Sequence, residues 1–127
     1  MILVDTSIWV DHLRLGDGVL VALLNSGSVL GHPWIVGEVA LGNLAHRDEI
    51  IGLLQGLPQA TLATDSEVLT LIQKESLSGA GIGYVDAQLL AATRLSSDAR
   101  LWTRDKRLSA VTDRLELGFQ PAGPVSG

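Results

Sequence analysis

Short apolar runs alternate along the chain with longer stretches whose apolar residues recur at helical spacing. Ile2-Leu3-Val4 is a continuous apolar run, broken by Asp5-Thr6-Ser7, and predicts a buried strand. Ser7 is placed to cap a helix carrying Ile8, Trp9, Val10 and Leu13. Gly16-Asp17-Gly18 reads as a turn, and 19–25 as a second helix closed by Ser26-Gly27. Residues 28–31 predict a short strand. Pro33 suits a helix start, and 34–44 carries apolar residues at helical spacing.

Another short helix is expected over 47–54, followed over 55–63 by a loop, or a loop with a short strand. Thr64 or Asp65 can cap the next helix, with Glu67 as the acid of a capping box, and the helix is expected to run to about Leu77. Ser78-Gly79-Ala80-Gly81-Ile82-Gly83 reads as an irregular connector and is not a phosphate-binding loop, since no Lys follows the last Gly. Residues 84–95 form the clearest helical pattern. Arg100-Leu101-Trp102-Thr103 reads as a strand that ends in a turn at Arg104-Asp105. A last strand is expected over 115–119, with a frayed tail from Pro121. This alternation predicts an α/β sandwich with a mostly parallel sheet, built as one domain over 1–127.

Composition narrows the class. The chain has 127 residues, 46% of them hydrophobic, which is enough for one core and argues against disorder. The absence of cysteine excludes disulfides, zinc–thiolate sites and thiol nucleophiles, and fits a reducing cytoplasm. No apolar stretch approaches the roughly 20 residues of a membrane span. Met1-Ile2-Leu3-Val4-Asp5 has neither a basic n-region nor a cleavage site, so no secretory signal is expected. The net charge of -5 runs against the usual basic balance of a nucleic-acid binder. Yet Arg94, Arg100, Arg104, Lys106, Arg107 and Arg114 all fall in one late stretch, where they could serve a solvated surface or contact phosphates.

Four acids stand apart. Asp5 and Asp105 each follow a predicted strand, and sites in open parallel sheets form at the carboxyl ends of strands. Alone, Asp5 reads as a helix cap and Asp105 as a strand-end turn. Glu38 sits among Val36, Gly37, Val39 and Ala40, where a wet helix face would also accommodate it. Asp86 lies in the first turn of the 84–95 helix, a position the helix dipole favours. Leu89 and Leu90 at i+3 and i+4 place it at the edge of the core. Brought together, such carboxylates must protonate or bind cations, and an all-oxygen site suits Mg2+ or Mn2+ rather than zinc. Such a site can activate water for phosphodiester hydrolysis.

The pieces Ile2-Leu3-Val4-Asp5-Thr6-Ser7, Glu38, Tyr84-Val85-Asp86-Ala87-Gln88-Leu89-Leu90-Ala91-Ala92 and Leu101-Trp102-Thr103-Arg104-Asp105 cover nearly the whole chain in order. Their set resembles the PIN-domain nucleases, and within them the VapC-type toxins of bacterial toxin–antitoxin pairs. The resemblance implies a PIN-like three-layer sandwich and an endoribonuclease dependent on Mg2+ or Mn2+. It implies a structured RNA substrate such as transfer or ribosomal RNA, a homodimer and a cognate antitoxin. Asp5, Glu38, Asp86 and Asp105 would form the acidic, metal-holding quartet, with Ser7 and Thr103 as supporting hydroxyls. The chain departs from many relatives after the last Asp. Arg107 stands where an acidic or polar residue is common, which puts a full second-metal site in doubt and could bring a cation to the scissile phosphate.

Two other classes compete. A phosphohydrolase using Asp5 as nucleophile usually has a second Asp close behind it, and Thr6-Ser7-Ile8-Trp9 supplies none. A non-catalytic RNA- or protein-binding module would keep the acids without the chemistry. His12, His32 and His46 show no metal-ligand spacing, and surface or capping roles are expected. Trp9, Trp34 and Trp102 are expected in or near the core, with a partner interface the alternative for Trp9 and Trp34. Residues 19–24 and 50–54 carry more apolar surface than one core uses, which suggests a dimer or antitoxin contact.

Overall fold

The apolar run at the start becomes the central strand of a small sheet in the computed structural model, which describes residues 1–121. β1 (Ile2–Val4) pairs in parallel with β2 (Val29–Leu30) on one side and with β3 (Arg100–Trp102) on the other. Leu3 stands opposite Leu30 and Leu101. Single parallel bridges, Gly31 to Gln59 and Leu101 to Gly118, lengthen the two edges. Seven helices join the strands among the described residues. They are α1 (Thr6–Leu15), α2 (Gly18–Asn25), α3 (Pro33–Ala40), α4 (Arg47–Gly56), α5 (Asp65–Lys74), α6 (Tyr84–Leu95) and α7 (Lys106–Arg114). The α/β class and the parallel sheet agree with the sequence pattern.

The strand order β2-β1-β3 positions the site. The chain leaves β1 toward β2, then crosses back to lay β3 on β1's other side. Connections that diverge from neighbouring strands leave a crevice at their carboxyl ends. Asp5 follows β1 there, and Thr103 follows β3.

The core under the crevice is apolar and closely filled. Leu3, Val4, Ile8, Leu20, Ile35, Leu89, Leu90, Leu101 and Leu108 are all almost wholly inaccessible to solvent. From α6 alone Ala87 and every residue from Leu89 to Ala92 are buried, which explains why its pattern was so clear.

Several local expectations need correction. The cap of α1 is Asp5, not Ser7, and its side chain makes no cap hydrogen bond because it points into the crevice. The helix expected over 34–44 stops at Ala40, where Leu41 is 90% exposed and the Gly42 amide bonds back to Val39. Leu44 still reaches the core, from an irregular segment. The helix expected to reach Leu77 ends at Lys74. Ser76 turns into the left-handed region at φ 53°, and the turn swings Leu77 into the core. After Asp105 the chain forms α7, which the sequence reading missed. The last strand expected over 115–119 is a single bridge rather than a strand. Trp9 and Trp102 are buried, whereas Trp34 lies on the surface. Of the two roles expected for the histidines, surface or cap, His32 takes the second: it caps α3 and is buried. The expected fraying of the tail falls on residues 122–127, outside the described residues.

Candidate active site

Asp5 is 6% exposed, and a buried carboxylate needs donors. Two hydroxyls meet the same oxygen. Ser7 Oγ donates to Asp5 Oδ2 at 2.9 Å and Thr103 Oγ1 donates to it at 2.7 Å. Each hydroxyl is itself held by a backbone amide of the β3–α7 turn: Arg104 N–H donates to Ser7 Oγ and Asp105 N–H to Thr103 Oγ1. The Asp5 amide donates to the Trp102 carbonyl, which extends the β1–β3 ladder to the site itself. Asp5 is thereby fixed from both strands of the crevice and from the first turn of α1.

The other three acids come from helices. Asp105 caps α7, its Oδ1 accepting from the Leu108 amide at 2.9 Å, and is exposed. Glu38 is exposed on α3 and accepts from Thr6 Oγ1 at 2.8 Å. Thr6 was not singled out in the sequence, although its place beside Asp5 was a signal. Asp86 is half-buried in the first turn of α6 and accepts from the Gly83 amide at 3.3 Å. Burial pushes the Asp86 carboxyl above its ordinary value. The Gly83 amide opposes this, and the charges of Asp5, Asp105 and Glu38 add to it. The charges of Asp5, Glu38 and Asp105, scattered over a hundred positions of sequence, therefore reach Asp86 in space.

Among the described residues, none of the four takes part in an ion pair. Neither does any group of three His, Cys, Asp or Glu side chains there close on one point as a ready-made metal cage. The quartet is an open set of carboxyl oxygen donors with no ion-pair partner among the described residues. In chemistry it fits a hard divalent cation such as Mg2+ or Mn2+.

The late cations do not form one patch. Arg104 pairs with Asp11 and Asp17, both at 2.6 Å, and lies over the Trp102 ring, so it fastens the β3–α7 turn to α1 and to the cap of α2. Arg94 pairs with Glu75, Arg114 bonds the Glu75 carbonyl, and Arg100 bonds the carbonyls of Glu116 and Gly118. Lys106 and Arg107 flank Asp105 on the exposed first turn of α7. The Arg107 side chain lies against Gly81, where a Cβ would come within 2.7 Å of its Cδ.

Two of the grooves outside the quartet's centre bear on the site's surroundings. One of about 280 Å³ runs between α5 and α6 and is lined by none of the four acids. Another of about 220 Å³ lies between α1, α3 and α4. Val10, Leu13, Val39, Leu44 and Ile50 line it, and Glu38 stands on its wall.

No family model matches the chain. Two curated relatives do, both named Ribonuclease VapC32, from Mycobacterium tuberculosis strains CDC 1551/Oshkosh and ATCC 25618/H37Rv. Each is 49% identical over 126 residues, spanning 99% of this chain and 100% of the relative.

Proposed function

The chain belongs to the VapC-type PIN-domain ribonucleases, the toxins of toxin–antitoxin pairs, and from that premise we propose that it cleaves RNA internally at the acidic crevice between β1 and β3. The observation that carries this reading is a buried Asp5 held by Ser7 and Thr103, with a half-buried Asp86 near enough to feel the charges of Asp5, Glu38 and Asp105 and none of the four in an ion pair among the described residues.

The four acids would hold Mg2+ or Mn2+. When bound, such an ion polarises a phosphodiester and makes bound water more acidic. The chain's own residues do the positioning. Ser7 and Thr103 hold Asp5 in one orientation, leaving its Oδ1 without a side-chain hydrogen bond among the described residues. Half-burial of Asp86 makes its charge costly without a cation and favourable with one. Lys106 and Arg107, beside Asp105, are placed to meet backbone phosphates. An Asp5 nucleophile is disfavoured, because that carboxyl is buried and engaged by two hydroxyls.

The proposal extends to the domain, the substrate and the compartment. One domain carries the activity, the substrate is a structured RNA such as transfer or ribosomal RNA, and the protein works in the cytoplasm. No helix among the described residues is long and apolar enough to cross a membrane. The α1–α3–α4 groove would receive an apolar segment of the cognate antitoxin next to Glu38. Exposed Val19, Val21 and Leu53 support a homodimer. The test is incubation of total cellular RNA with purified, antitoxin-free protein in Mg2+ or Mn2+. Discrete fragments that disappear with chelator support the reading. Intact RNA in every lane, from a folded sample, contradicts it.

A further inference from the structure

The chain has five aromatic residues besides histidine, three Trp, one Tyr and one Phe. Trp9 and Trp102 are buried, and Phe119 packs edge-on against Trp102. Trp34 and Tyr84 are the exposed ones, at 42% and 41%. They are also neighbours, with ring centroids 6.2 Å apart and planes inclined at 60°. Surface aromatics are ordinary singly, but here both of the chain's exposed rings meet each other.

Their place is informative. Trp34 lies one helical turn from Glu38 on the wet face of α3, opposite the Ile35 and Val39 face that enters the core. Tyr84 opens α6, two residues before Asp86. The pair bridges the two helices that deliver Glu38 and Asp86. The Tyr84 ring is held from behind, and the backbone that carries Trp34 is anchored. The Tyr84 hydroxyl donates to Asp65 Oδ1 at 2.7 Å and accepts from Gln88 Nε2. The Trp34 backbone amide donates to Nδ1 of the buried His32, which caps α3 and fixes the backbone under the indole. The Tyr84 ring is thus fixed in place before any ligand arrives, and the Trp34 ring lies beside it on an anchored helix start.

We propose that Trp34 and Tyr84 form a stacking platform for an unpaired base of the RNA substrate, next to the acidic crevice. The proposal rests on the ribonuclease reading and adds the means of holding the substrate. An acidic crevice repels the phosphodiester it must receive, and the chain's net charge of -5 adds to that repulsion. A base is uncharged, so stacking supplies affinity beside the acids that phosphate contacts cannot. Stacking on aromatic rings is also how proteins seize bases splayed from single-stranded loops. The platform therefore selects RNA that presents an unpaired base at the cleaved position.

Trp34 reports on this directly, because the other two tryptophans are buried. In a cleavage-inactive Asp86→Asn background, a short single-stranded RNA oligonucleotide should quench Trp34 emission. An abasic oligonucleotide of equal length should not, and Trp34→Phe should abolish the signal while binding persists by anisotropy of labelled RNA. In the active protein, Trp34→Ala should raise KM about tenfold with kcat little changed, and Trp34→Phe should recover most of the loss. Equal quenching by the abasic strand overturns the platform, as does RNA binding without quenching, while cleavage by the parent protein leaves the nuclease reading standing. Emission that changes on dilution of protein alone, with RNA silent, makes the pair a subunit contact and also overturns it. A parent protein that neither binds nor cleaves RNA removes both readings.

Discussion

Thr103 donates a 2.7 Å hydrogen bond to Asp5 across 98 positions of sequence, and this bond spans the crevice between the two strands that meet at the switch in chain direction. Ser7 meets the same oxygen from α1, so a single buried carboxylate oxygen ties three elements together. Removing either hydroxyl should affect both orientation and stability, because a buried carboxylate would lose a donor.

Thr103→Val should lower kcat/KM by roughly 10- to 100-fold, the equivalent of one hydrogen bond to a charged group. Thr103→Ser should restore most of it, since the hydroxyl is what matters. Steady-state cleavage of a defined RNA, with thermal unfolding alongside, separates misorientation from misfolding. Full activity in Thr103→Val would contradict the role given to this bond.

Asp86 should weaken the fold in the absence of metal. Burial, helped by the charges of Asp5, Asp105 and Glu38, favours its neutral form, so its ionisation costs the folded state more than the unfolded one. Stability from this group is therefore lost as pH rises through its folded-state value. Asp86→Asn should raise the metal-free Tm by roughly 2–5 °C near neutral pH. Millimolar Mn2+ should raise the Tm of the parent protein and leave the variant nearly unmoved. A variant that is less stable than its parent under both conditions would contradict this.

The two arginines on either side of Asp105 should behave oppositely. Arg107→Ala should weaken RNA binding and reduce the slope of log affinity against log salt by about one, as expected for one lost phosphate contact. Arg104→Ala should leave that slope alone and lower Tm, because its guanidinium is engaged by Asp11 and Asp17. Salt titrations of RNA binding on both variants distinguish the roles. Identical slopes for Arg107→Ala and the parent would assign Arg107 to packing against Gly81 alone.

His32 predicts a separate acid sensitivity. Burial lowers its pKa from the ordinary 6.5, and its Nε2 has no partner among the described residues while Nδ1 accepts from Trp34. The unfolded chain takes up a proton that the fold resists. Stability is therefore complete above about 6.5 and falls as pH drops below it, until the folded-state value is passed. His32→Asn, which keeps a capping acceptor, should flatten the stability profile between pH 7 and 5. An unchanged slope would mean that another group titrates there.

The sequence revealed what is local and hid what is not. Asp5 stood out because a three-residue apolar run ends in it, and α6 because one face is continuously apolar. α7 escaped notice because Lys106-Arg107-Leu108-Ser109-Ala110-Val111-Thr112-Asp113-Arg114 buries only Leu108, Val111 and Thr112. Its cap, Asp105, and the Leu108–Val111–Leu115 spacing were the available signals. Trp34 was expected in the core because aromatics are usually buried. The alternation of Ile35 and Val39 with Trp34 and Glu38 on α3 already put it on the opposite face. No periodicity could announce that Thr103 and Asp5 meet, since that contact depends on strand order. The same holds for Trp34 and Tyr84, which come together only when α3 and α6 pack.

The central claim is that Asp5, Glu38, Asp86 and Asp105 work as one cation site. Titration of Mn2+ into the purified protein, followed by electron paramagnetic resonance of the free ion, tests it most directly. Asp5→Asn, Glu38→Gln, Asp86→Asn and Asp105→Asn are each compared with the parent. Saturable binding by the parent is expected, weakened by each substitution in variants that remain folded. Binding that all four substitutions leave unchanged, or RNA cleavage that proceeds in chelator without any bound ion, would contradict it.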